Sequence, residues 1–142
     1  MNGLINRDIQ SQIRHINIWK QNGERAPHKP LLVIYALAAV LNQNERLISY
    51  RVVQDKLKNL LVEFGPQRKV CHPELPFWRL QNDGNFWEVT SREQILKIQK
   101  SKSLNTNVSS KTLLSTDSYG GFSENAFHFL KQNPTIVIEL AT

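Results

Sequence analysis

The chain has 142 residues, 40% of them hydrophobic and 21% charged, which favours one domain over residues 1–142 with a core that needs no covalent staples. Its single cysteine, Cys71, excludes an internal disulfide and any zinc site built on paired cysteines. Eighteen Lys and Arg against twelve Asp and Glu leave a net charge of +6, and a small domain this basic suits a polyanionic partner.

No apolar run reaches the roughly 18 residues of a membrane span, and no charged segment leads into an apolar core at the N-terminus. The expected location is the cytoplasm, with no membrane partner. No repeat or low-complexity tract interrupts the chain. Ile5, Ile9, Ile13, Ile16 and Trp19 recur at helical spacing and predict a helix over about 7–22. Gly23 stops it. Arg25-Ala26-Pro27-His28-Lys29-Pro30 follows, with Pro30 suited to the first turn of the next helix. Leu31 to Leu41 is apolar almost throughout, as a central buried helix would be. Ser49 is placed to cap a third helix, with Val53, Leu57, Leu60, Leu61 and Phe64 on its core face, and Gly65-Pro66 ends it.

The period then changes. Phe77-Trp78-Arg79-Leu80-Gln81 and Asn85-Phe86-Trp87-Glu88-Val89 flank Asn82-Asp83-Gly84, a pattern that predicts a β-hairpin. Thr90, Ser91, Glu93 and Gln94 fit a capping box for a helix reaching about Lys100. A polar stretch follows, and Gly120-Gly121 reads as a flexible turn. Ser123 caps a short helix stopped by Asn133-Pro134, and Thr135 to Leu140 reads as a final strand. The expected class is α+β, mainly helical: a winged-helix-like three-helix core, a β-hairpin, further C-terminal helices and a terminal strand.

Catalysis finds little support in these residues. Of the histidines His15, His28, His72 and His128, His15 and His128 sit in amphipathic helical segments with no carboxylate or cysteine read at metal-ligand spacing, and Cys71-His72 lacks further ligands. No glycine-rich phosphate loop is present, and no carboxylate cluster suits a two-metal nuclease. No cofactor, metal or catalytic residue is expected. Binding features are stronger. Arg68, Lys69, His72 and Arg79 lie among Pro66, Pro73 and Pro76, and a proline-stiffened backbone lowers the entropy cost of binding. Arg92, Lys97, Lys100, Lys102 and Lys111 form a second basic stretch. Arg25, His28 and Lys29 form a third, before a helix whose N-terminal N–H groups favour anions. Arg51 adds charge on the third helix.

Four motifs together resemble the sulfur-binding domain of phosphorothioate-dependent McrA-type restriction endonucleases. They are Ala26-Pro27-His28-Lys29-Pro30-Leu31-Leu32, Glu63-Phe64-Gly65-Pro66, Pro76-Phe77-Trp78-Arg79-Leu80, and the Asp83-Gly84 turn with Trp87-Glu88-Val89. The resemblance implies a reader of double-stranded DNA in which sulfur replaces a non-bridging phosphate oxygen. It implies an apolar sulfur pocket at Leu75, Pro76 and Arg79, with a proline ring as one wall. Leu75 stands where the family often has tyrosine. It also implies phosphate contacts from His28 and Lys29, and the basic residues Arg25, Arg51, Arg68, Lys69, His72 and Lys102 are further candidates for phosphate or DNA contact by their charge. Larger relatives carry an HNH nuclease; this chain has no HNH arrangement, so a nuclease domain or nuclease partner chain is an implied partner rather than an activity of these residues. Two other readings stay open from the residues themselves: a winged-helix-like DNA-binding module with no sulfur preference, and a basic protein-interaction domain.

Overall fold

Apolar residues at helical spacing set the frame. The computed structural model describes residues 8–16, 28–64, 72–91 and 108–141. Residues 8–16 are helical (α1), with Ile9, Ile13 and Ile16 buried. Helix α2, His28–Leu41, is the hub and packs on helices that follow it in sequence. Leu32, Val33, Ala36, Leu37 and Val40 are buried along it, and Pro30 lies in its first turn, where a missing N–H costs no helical bond. Helix α3, Tyr50–Phe64, begins after Ser49, whose Oγ accepts from the Arg51 backbone N–H at 3.3 Å. Val53 and Leu57 are fully buried on its inner face. The three helices expected in the first half are therefore present in their described parts. The predicted capping box and helix over 92–100, and the stop at Gly65-Pro66, lie outside the described residues.

A short strand, β1 (Leu47–Ser49), precedes α3. It joins β3 (Tyr119–Phe122), which also pairs with β2 (Trp87–Thr90). The strand order is β1-β3-β2, with both pairings antiparallel. Gly120-Gly121, expected as a turn, thus form the middle of the central strand. Their lack of side chains is the reason. A Cβ on Gly121 would lie 2.2 Å from the Arg46 carbonyl oxygen, and one on Gly120 would lie 2.6 Å from the Phe77 ring.

The expected hairpin is corrected as well. Residues Glu74–Arg79 form helix α4, and Leu80–Asn82 continue it as a 3-10 turn. Two prolines decide this. Pro73 occupies the position before the helix, and Pro76 is its third residue, where no intrahelical N–H bond is required. Glu74 adds a favourable charge at the N-terminus. Phe77 and Trp78 are 0% and 1% exposed; neighbours on a strand would face opposite sides. The Asn82-Asp83-Gly84 segment closes the 3-10 turn, with Gly84 at φ +149°, and β2 finds its partner some thirty residues downstream.

Helix α5, Ser110–Ser115, is capped by Ser109, whose Oγ accepts from the Thr112 N–H at 3.2 Å. Helix α6, Glu124–Gln132, is capped by Ser123 as expected. The predicted terminal strand is helix α7, Pro134–Ala141. Its β-branched residues suggest a strand locally, yet Pro134 starts a helix and Val137 and Leu140 bury at helical spacing against α2. Burial against the hub overrides local propensity. The expected class holds: among the described residues, seven helices accompany a small antiparallel sheet, while the wing hairpin and terminal strand are absent from it. No helix is long and apolar enough to cross a membrane among the described residues.

Candidate nucleic-acid interface

Helix α4 is short, and its surroundings hold it in place. Beneath it runs a chain of aromatic rings: Tyr50 to Phe77 at 4.9 Å, Phe77 to Trp87 at 6.4 Å, and Trp87 to Phe122 at 5.9 Å, all edge-on. Such pairs add about 0.5–1.5 kcal/mol each beyond area burial. The Trp87 indole N–H donates to the Phe77 carbonyl at 2.9 Å, satisfying a backbone acceptor in the core. Phe77, Trp78 and Leu80 are anchored inward and Pro76 is buried beside them, while Leu75 and Arg79, four positions apart, share a more exposed face of the helix. Leu75 is half-buried, Pro76 buried and Arg79 exposed.

Both ends of α4 are tied to other helices. At its start, Glu74 accepts from His72 Nδ1 at 2.9 Å and from Ser110 Oγ at 3.3 Å. Ser110 Oγ in turn lies 2.6 Å from the Tyr50 hydroxyl. Burial, reinforced by the Glu74 charge and opposed by the Ser110 hydrogen bond, pushes the Tyr50 phenol up to about 12. Beyond its end, Asp83 Oδ2 accepts from Lys29 Nζ at 2.6 Å. The side chains of this pair are 34% and 26% exposed. Gln12 of α1 completes the junction, its Oε1 accepting from the Asn85 N–H at 3.1 Å.

These contacts bring some predicted residues together. Lys29, at the start of α2, stands beside the turn that ends α4, and His72 stands at the beginning of α4. Leu75, Pro76 and Arg79 lie on the helix between them. Arg51 is exposed near the start of α3. His28 begins the α2 backbone. Arg25, Arg68, Lys69 and Lys102 lie outside the described residues. Sequence reasoning treated Asp83 as a turn residue and did not single out Glu74. Asp83 is 54 positions from Lys29, and no local pattern signals a pair so distant.

Charge is divided unevenly. The described residues hold nine Lys and Arg against ten Asp and Glu; the rest of the chain holds the other nine Lys and Arg against two Glu. The basic excess therefore belongs to the stretches 1–7, 17–27, 65–71 and 92–107. Three of these join the described residues around α4: at His28, at His72, and at Val108 just before Ser110. The Glu74–Ser110 and Lys29–Asp83 contacts hold those junctions near the two ends of one helix. Among the described residues, no cluster of three or more His, Cys, Asp or Glu could hold a metal ion.

Residues 6–142 match the family described as ScoMcrA-like, DNA sulfur-binding domain. Among solved structures, the chain is similar to the sulfur-binding domain of ScoMcrA complexed with phosphorothioated DNA. The TM-score is 0.67 at 22% identity, covering 82% of this chain and 71% of that one. It is also similar to the sulfur-binding domain of SprMcrA complexed with phosphorothioated DNA, with a TM-score of 0.62, 16% identity and coverage of 84% and 70%. Against the type IV phosphorothioation-dependent restriction endonuclease ScoMcrA the TM-score is 0.64 at 22% identity, and the chain spans 21% of that protein's length. No curated protein matches the chain.

Proposed function

Because the chain belongs to the ScoMcrA-like DNA sulfur-binding domain family, we propose that it reads double-stranded DNA carrying a phosphorothioate, with sulfur held against an apolar face of α4 and the phosphate held by basic residues around it. The family is one of binding domains rather than catalytic ones. The observation that carries the reading is the meeting of Lys29 with the Leu75-Pro76-Arg79 helix through Asp83. On this reading the 142 residues act as one cytoplasmic reader domain, and cleavage would belong to a nuclease domain or partner chain.

The physical basis is desolvation. Sulfur is larger, more polarisable and less strongly hydrated than oxygen. The Pro76 ring offers no hydrogen-bond donor, so a phosphate oxygen seated against it would lose hydrogen bonds to water. An unpaired polar atom costs roughly 1–3 kcal/mol, which gives about 10- to 100-fold discrimination without any base contact. Leu75 and Arg79 supply the rim. Arg25, His28, Lys29, Arg51, Arg68, Lys69, His72 and Lys102 supply charge for phosphates, which fixes register but carries no sulfur preference.

Paired titration of one duplex sequence, with and without a single sulfur, tests these roles. Pro76→Ala should lower affinity for the modified duplex more than for the plain one. Pro76→Asp should abolish the preference by placing a carboxylate beside a bound anion. Lys29→Ala should weaken both duplexes by similar factors. An unchanged affinity ratio in a folded Pro76→Ala protein would remove Pro76 from the site.

A further inference from the structure

The Lys29–Asp83 pair joins a residue assigned to phosphate binding with a carboxylate built into a rigid turn. The Asp83 N–H donates to the Leu80 carbonyl at 3.1 Å. Gly84 follows at a positive φ, and Gln12 packs against that turn. Asp83 is therefore fixed in place rather than swinging on a free loop, and the pair is half-screened from solvent.

We propose that Asp83 is an internal stand-in for a DNA phosphate: it occupies Lys29 in the free domain and sets how strongly that lysine holds any duplex. The inference rests on the DNA-binding part of the reading above. A phosphate approaching Lys29 must share it with the carboxylate or displace it, and the carboxylate repels the incoming anion. While the pair is closed, Lys29 is electrically neutralised and adds little to counterion release. A lysine freed of its carboxylate contributes a full phosphate contact, which makes the logarithm of affinity steeper in the logarithm of salt by about 0.9. The carboxylate thus lowers the hold on ordinary DNA, leaving the sulfur contact a larger share of the total binding.

The test measures affinity for an unmodified duplex across a salt series, using the parent protein, Asp83→Asn and Lys29→Ala/Asp83→Asn, with thermal melts of each. Asp83→Asn should bind about two- to five-fold more tightly at low salt, the scale of one partly screened ion pair. Its salt slope should steepen by about one unit, and the double variant should lose both gains. Should Asp83→Asn fail to fold, Asp83→Ser offers the same loss of charge in a smaller side chain. A carboxylate that only braces the fold would lower the melting temperature and leave the slope alone. An unchanged slope, or weaker binding by the folded variant, overturns the proposal. A parent protein that binds modified and plain duplexes equally would sink the sulfur reading and leave this inference standing, because the sulfur plays no part in the measurement. Absence of binding to any duplex by parent and variant alike would overturn both.

Discussion

Tyr50 is buried with its hydroxyl against Ser110, and Ser110 leads through Glu74 to exposed His72. This polar chain fastens α3 and α5 to the start of α4. The elevated Tyr50 value, about 12, gives a pH signature. Below about pH 10 the phenol is protonated in both the folded and unfolded chain. Between roughly pH 10 and 12 the unfolded chain releases the proton first, so stability falls as pH rises. Tyr50→Phe should lose about 1 kcal/mol near neutrality with its hydrogen bond, yet its melting temperature should decline less steeply between about pH 10 and 12. Parallel melting curves for parent and variant across that range would contradict the burial assigned to Tyr50. Individual residues divide sharply in how well sequence reports them. Ser49 and Ser123 reveal their capping roles because a cap depends on three or four neighbouring positions. Lys29 reveals its charge and hides its partner, since Asp83 reaches it only through the packing of α4 on α2.

Helix α4 and strand β3 occupy the places where local patterns mislead. Phe77-Trp78 beside Asn82-Asp83-Gly84 carries strand propensity and turn chemistry, yet Pro73, Glu74 and Pro76 favour a short helix, and the aromatic core accepts both rings at once. In β3 the glycines read locally as a flexible turn because nothing local shows that the strand must pass under Phe77 and close to Arg46. The test lies in the missing side chains. Gly121→Ala places a Cβ 2.2 Å from a backbone oxygen, which cannot swing away, and should destabilise by about 2–3 kcal/mol. Gly120→Ala meets the buried Phe77 ring and should act in the same direction. Denaturant unfolding measures both; a loss under about 0.5 kcal/mol for Gly121→Ala would mean the strand shifts freely. Helices α2 and α3 were legible because their apolar stripes and caps agree. Helix α7 was not, since its Ile-Val-Ile run favours extended backbone until α2 is there to receive Val137 and Leu140.

Taken together, the described helices and sheet are close to electrically balanced, and the basic excess lies in the rest of the sequence. The binding class was therefore readable from charge, and the family from four short motifs, while the spatial link between Lys29 and the Leu75-Pro76-Arg79 helix required the fold. Binding to any duplex should weaken steeply with salt, by about 0.9 logarithmic units per phosphate contact. Arg68→Ala and Lys69→Ala should each reduce that slope equally on modified and plain DNA. A salt-independent affinity would point instead to a protein partner.

The sulfur itself provides the most direct test. A pool of duplexes randomised around one central phosphate is prepared twice, once with oxygen and once with a single sulfur in both stereochemical forms, and each pool is titrated with the intact chain at one fixed salt concentration. Tighter binding of the sulfur pool, with retained duplexes reaching about 10- to 100-fold preference over their oxygen counterparts, is the expected result. Equal affinity for every retained sequence with sulfur or oxygen would contradict it.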